Sequence, residues 1–112
     1  MSDEPQAWLT LDELAQRLDC PPTRVRQMVK DRQLVAVTRD GRRSVPAGFV
    51  ADGVLVKGLT GVLTVLADAG YSDEEAVAWL LRQDDSLPGA PLDALAANRG
   101  TEVRRRAQAL AF

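Results

Sequence analysis

Two consecutive prolines, Pro21 and Pro22, constrain this chain most tightly, because they end one short helix and let another begin almost at once. Proline cannot continue an α-helix, so the segment "TLDELAQRL" must stop at Asp19-Cys20-Pro21-Pro22. Up to that point its pattern is helical. Thr10 and Glu13 stand in capping-box spacing, and Leu11, Leu14, Ala15 and Leu18 follow at i, i+3, i+4 and i+7. Trp8 and Leu9, just before the cap, are placed to staple it to the core. Proline suits a first helical turn, so a second helix is predicted from Pro22-Thr23 to about Asp31. At about 100° per residue, Val25, Met28 and Val29 share its back. Thr23, Arg26, Gln27 and Lys30 project from the front, with Arg24 on the flank.

The next break is Asp40-Gly41, a strong signal for a two-residue hairpin turn. Val35 and Val37 alternate with small or polar residues before it. Ser44-Val45-Pro46 close the return strand, since Pro46 lacks the donor needed to extend a ladder. The predicted ribbon over 35–45 is tipped by Arg39, Arg42 and Arg43.

Beyond it, residues 46–58 contain three glycines and read as a connector that packs. Leu59, Val62, Leu63 and Leu66 predict a third helix closing at Gly70. Ser72 and Glu75 repeat the capping box ahead of a helix burying Val77, Leu80, Leu81 and Trp79. After the turn "DDSLPGAP", Pro91 opens a short helix with Leu92 and Leu95 that closes near Gly100. A last helix from Thr101 carries Val103, Ala107 and Leu110 on one face. No internal repeat or low-complexity segment interrupts this order. The fold expected is mainly α with a small antiparallel β-hairpin. A winged helix-turn-helix domain occupies 1–46, and a helical C-terminal domain packed on it occupies 47–112.

Composition removes many chemistries. A chain of 112 residues without histidine has no imidazole for acid/base catalysis, Ser-His triads or metal ligation. The one cysteine, Cys20, excludes an internal disulfide and a thiolate zinc cluster, and reads as a small semi-buried side chain before the proline turn. No stretch matches a secretory signal or a run of about 18 apolar residues able to span a bilayer. The expectation is a cytoplasmic, nucleoid-associated protein with no membrane contact, no cofactor, no metal site and no catalytic residues. Asp73-Glu74-Glu75 complements a helix N-terminus and Asp84-Asp85 falls in a turn, so neither reads as a catalytic carboxylate pair.

Charge is distributed unevenly. The net charge of the chain is −2, yet residues 21–46 hold seven Lys/Arg against two Asp/Glu, a net of +5. Residues 1–20 carry one against five, a net of −4. Such polarisation points to an anionic partner for one face. In a helix-turn-helix the second helix enters the major groove of DNA. There Arg bridges guanine O6 and N7, Gln pairs with adenine and Lys neutralises phosphate. An arginine-tipped hairpin just beyond would reach flanking backbone or the minor groove as a wing. The expected DNA-binding residues are therefore Thr23, Arg24, Arg26, Gln27 and Lys30 on the helix and Arg39, Arg42 and Arg43 on the wing. Arg104-Arg105-Arg106 are consecutive, so a helix spreads them over some 200°, which suits solvation or local pairing better than one phosphate-binding patch. Trp8 and Trp79 read as core anchors rather than base-stacking platforms.

The stretch "LTLDELAQRLDCPPTRVRQMVKDRQLVAV" resembles the excisionase/MerR-like winged-helix pattern. Over nearly its whole length the chain resembles a narrower group, the small actinobacterial winged helix-turn-helix DNA-binding proteins whose mycobacterial member is a serine/threonine kinase substrate. The matching features are "DEP", "LVAV", "VP", "VKGLTGVLTVLADAGY", "WLL" followed by "DDSL", and "EVRRRAQALAF". This resemblance implies sequence-directed DNA binding, with phosphoregulation in some members. It carries the recognition-helix role to Thr23, Arg24, Arg26, Gln27 and Lys30, and the wing role to Arg39, Arg42 and Arg43. One departure is that the sequence starts just before "DEP", without a long tail for a kinase acceptor, and Thr10 reads as a cap. The C-terminal "GYSDEEAVAWL" and "LPGAPLDAL" are more faintly similar to the toxin-binding helices of certain antitoxins. Two functional readings follow. The first is a transcriptional regulator bound to double-stranded DNA, with a homodimer left open. The alternative is an antitoxin-like interaction module whose C-terminal helices bind a protein partner.

Overall fold

The computed structural model describes residues 7–110. The opening Asp3-Glu4-Pro5 and the terminal Ala111-Phe112, which carry part of the family resemblance, lie outside them. The first described element is strand β1 (Trp8–Thr10), whose last residue also caps helix α1 (Leu11–Leu18). The Thr10 hydroxyl accepts from the Glu13 N–H at 3.2 Å, and the Glu13 carboxylate accepts from the Thr10 N–H at 2.8 Å. Asp19 turns left-handed to end α1, and helix α2 (Pro22–Lys30) restarts with proline in its first turn. Leu14, Ala15 and Val25 are buried where the two helices meet the core.

A three-stranded antiparallel sheet follows, made by β1, β2 (Val37–Arg39) and β3 (Arg42–Pro46) in the order β1-β3-β2. Asp40 and Gly41 both have positive φ, 52° and 78°, as a two-residue mirror-image turn requires. The predicted wing is thus present, with two differences. The sheet has a third strand, because Trp8–Thr10 pairs with β3, so β3 is central and Pro46 sits at its very end opposite Trp8. The strand before the turn begins at Val37 rather than Val35. Leu34, Val35, Ala36 and Val37 are all buried, so this run threads the core instead of alternating across a sheet.

The connector over 46–58 packs as expected but also contains structure. A 3-10 turn (Ala47–Phe49) buries Phe49 completely. Strands β4 (Val50–Ala51) and β5 (Val54–Leu55) then pair around Asp52-Gly53. Gly48 lies so close to Leu92 that a Cβ there would fall 2.9 Å from its side chain. That close approach lets helix α5 (Pro91–Ala96) dock on the turn.

Helix α3 (Leu59–Asp68) buries Leu59, Val62, Leu63 and Leu66, and Gly70 follows at φ 92°. Helix α4 (Asp73–Leu81) opens with the Ser72–Glu75 capping box and buries Val77 and Leu80. Trp79 and Leu81 are only half-buried, packed on the rim of the core rather than within it. Helix α6 (Gly100–Ala109) starts at Gly100 itself, while α5 ends earlier and is followed by a left-handed Asn98. Val103 and Ala107 are fully buried, but Leu110, just past the helix end, is exposed, a departure from the single apolar face predicted.

One apolar cluster runs through both halves, from Leu14, Val25 and Val45 through Phe49 to Leu66, Leu80 and Val103. Among the described residues, two side-chain ties cross between the halves: the Thr60 hydroxyl donates to the Gln33 carbonyl at 2.6 Å, and Arg32 pairs with Asp73 at 3.0 Å. Among the described residues, no helix is long and apolar enough to cross a membrane.

Candidate nucleic-acid interface

Helix α2 is polarised as its sequence predicted. Val25 is fully buried, Met28 and Val29 are half-buried, and Thr23, Arg24, Arg26, Gln27 and Lys30 are exposed. Residues 23, 26, 27 and 30 form one stripe at helical spacing. The N-terminal turn holds no acidic side chain and Pro21 supplies no capping acceptor, so the positive end of the helix is left uncompensated. The Gln27 amide donates to the Asp31 carboxylate at 3.0 Å in an exposed contact along the helix. The helix closes in a left-handed turn, with the Gln33 N–H donating to the Met28 carbonyl at 2.9 Å.

On the ribbon, Arg39, Arg42 and Arg43 are all exposed, but they do not form one group. Arg39 is the cross-strand partner of Arg42, while Arg43 is opposite Thr38. Successive strand residues face opposite ways, so Arg39 and Arg42 share one face of the sheet and Arg43 projects from the other. The Arg39 guanidinium lies over the Trp8 ring, 4.3 Å from its centroid. Trp8 is half-buried, so the anchor predicted for the core also presents a ring face to a cation.

The seven cations of 21–46 are not equivalent. Arg32 is left-handed (φ 61°) and its guanidinium is engaged by Asp73, which assigns it to joining the two halves. Among the described residues, no carboxylate lies within salt-bridge distance of Arg24, Arg26, Lys30, Arg39, Arg42 or Arg43. The C-terminal arginines separate too. Arg106 pairs with Glu102 at 3.1 Å and with Asp84 at 3.8 Å, whereas Arg104 and Arg105 are exposed. The Arg106 hydrogen bond, with help from Arg99, holds the Glu102 carboxyl below its ordinary pKa. Asp84 is lowered chiefly by the hydroxyl and N–H of Ser86. Among the described residues, no three acidic or cysteine side chains gather as a metal site would require.

Two features of this surface escaped the sequence reading. The strand Trp8–Thr10 is too short to show an alternating pattern, though Trp and Thr favour strands. The ribbon at Asp52-Gly53 was signalled by the same dipeptide as the wing turn.

A helix, a tight turn, a second helix with a polar front and a sheet ending in a basic ribbon together define a winged helix-turn-helix. The comparisons with known proteins agree. The profile described as "DNA-binding protein Rv2175c, wHTH domain" matches residues 2–50, and that of the "Rv2175c C-terminal domain of unknown function" matches residues 56–111. The DNA-binding protein Rv2175c of Mycobacterium tuberculosis (strain ATCC 25618 / H37Rv) is 39% identical over a 123-residue alignment, covering 98% of this chain and 83% of the relative. The NMR structure of Rv2175c matches with a TM-score of 0.86 at 37% identity, covering 100% of this chain and 86% of that one. The chain belongs to the Rv2175c family of winged helix-turn-helix proteins.

Proposed function

We propose that this protein is a sequence-directed DNA-binding protein that acts as a transcriptional regulator in the bacterial nucleoid. Helix α2 enters the major groove with Thr23, Arg24, Arg26, Gln27 and Lys30, and the β2–β3 ribbon rests Arg39, Arg42 and Arg43 on flanking backbone or in the minor groove. The observation that carries this reading is the division of α2. One side is apolar and packed, the other is a stripe of cationic and hydrogen-bonding side chains, and a basic ribbon follows directly. The name of the M. tuberculosis relative supports the same chemistry. Arg26 and Arg24 suit bidentate contacts to guanine, Gln27 suits adenine once it leaves Asp31, and Lys30 suits phosphate. The first 46 residues serve as the reading head and the C-terminal helices as its support. A short recognition helix reads few bases, so two copies on half-sites about 34 Å apart supply the affinity.

The test is a duplex-DNA titration at graded salt. Four to six phosphate contacts predict that log affinity falls with log salt at a slope of roughly −4 to −5. Arg26→Ala and Arg42→Ala should each weaken binding, the second with a shallower slope. Equal retention of DNA at low and high ionic strength would retire the proposal. Co-purification of a protein bound to the C-terminal helices would favour the antitoxin-like alternative.

A further inference from the structure

We infer that Trp8 is a positioning residue for the wing, holding the Arg39 guanidinium against its indole face so that it meets a DNA phosphate already oriented. The inference rests on the DNA-binding reading above and names a residue outside the contact set. Its basis is the sheet register. Trp8 pairs with Pro46, and Arg39 pairs with Arg42, with β3 lying between the strands that carry them. Alternation puts Trp8, Val37, Arg39, Arg42, Ser44 and Pro46 on one face. From opposite outer strands, only two long side chains can meet across β3, and here the guanidinium carbon is 4.3 Å from the ring centroid, well inside the roughly 6 Å reach of a cation–π contact.

The platform is fixed and its guest is not. Trp8 is half-buried and its strand is locked into the ladder, reinforced by the Ala47 N–H donating to the Ala7 carbonyl at 2.9 Å. Arg39 is exposed, on a long and flexible stem. The chemistry of the partner matters. A carboxylate would neutralise the guanidinium and consume its donors. An aromatic face leaves the charge intact and keeps the in-plane N–H groups free for a phosphate. Arg42 directly opposite adds a like charge, an arrangement unfavourable in the free protein and relieved when a polyanion docks between the two.

The experiment is a double-mutant cycle on DNA affinity in the full chain, with thermal melts to confirm folding. Trp8→Phe keeps an aromatic face and should hold affinity within about two-fold, whereas Trp8→Leu should weaken it about three- to ten-fold. In the Arg39→Ala background, Trp8→Leu should cost nothing further. If the two losses multiply instead, Trp8 acts independently of Arg39 and the inference is overturned. Arg39→Lys leaves β1 packing untouched and keeps the charge but loses the planar stack, and it should weaken binding several-fold; full affinity would overturn the inference even if Trp8→Leu proved poorly folded. The stack itself is read by NMR in the free protein, where the Arg39 side-chain protons should be shifted upfield by the indole in the wild type and in Trp8→Phe less so. Loss of binding by Arg26→Ala, with no effect from Arg39→Ala or Arg42→Ala, would remove the wing contact and this inference while sparing the recognition helix. Salt-independent binding would remove the whole interface.

Discussion

Asp40 and Gly41 carry the tightest backbone requirement of the wing, since both must take positive φ for the ribbon to reverse in two residues. A Cβ at Gly41 would meet nothing within 4 Å, so replacing it tests backbone conformation alone. Gly41→Ala should cost about 1 kcal/mol of stability in denaturant titration, and Asp40→Asn only a few tenths, because Asn tolerates the left-handed region. At this scale much of the surface was legible in the sequence. Thr23, Arg24, Arg26, Gln27 and Lys30 are exposed because helical spacing alone decides which side of α2 the apolar residues claim. What spacing could not reveal is which cation meets which neighbour. Arg32 pairs with Asp73, 41 positions away, and Arg39 stacks on Trp8, so both outcomes depend on chain segments brought together by the fold.

Among the elements, the helix starts and the wing turn were read from local punctuation, whereas the Asp52-Gly53 ribbon and the end of α5 at Ala96 were not. The two capping boxes, the prolines at 22 and 91 and the glycine at 70 mark helix ends through local hydrogen bonding and sterics, which need no tertiary context. The short strands β1, β4 and β5 form because a partner lies alongside; Asp52-Gly53 marks the turn between β4 and β5, but β1 has no local mark of its own. Helix α6 is held differently, through Glu102 between Arg99 and Arg106, with Asp84 beyond. Both carboxyls have lowered pKa values in the folded state, so each binds its proton more readily when unfolded. Their stabilising effect is complete above the ordinary carboxylate range near pH 4 and is lost as pH falls through the lowered folded values. Melting temperatures measured from pH 7 to 3 should therefore drop more steeply for the wild type than for Arg106→Met. Equal slopes would show that the cluster contributes nothing to acid stability.

For the molecule as a whole, the winged half and the helices behind it share one core, with Phe49 fully buried at the junction. Phe49→Ala should cost about 3–5 kcal/mol, a large part of the roughly 5–15 kcal/mol available to a domain. The loss should lower unfolding of both halves together. Trp8 and Trp79, kept singly by Trp79→Phe and Trp8→Phe, report the two ends, and their denaturation curves should coincide; separate midpoints would mean two independent units. By itself the sequence determined the helices, their starts to within a residue, the wing turn and the polarity of α2, because those follow from short-range sterics, capping and the 3.6-residue period; the end of α5 at Ala96, read near Gly100, was missed. Only the tertiary structure decided the third strand, the docking of the connector through Gly48 and the division of the arginines between paired and unpaired side chains among the described residues. Those depend on contacts between residues distant in the chain, and a linear pattern holds no record of which distant partners will meet.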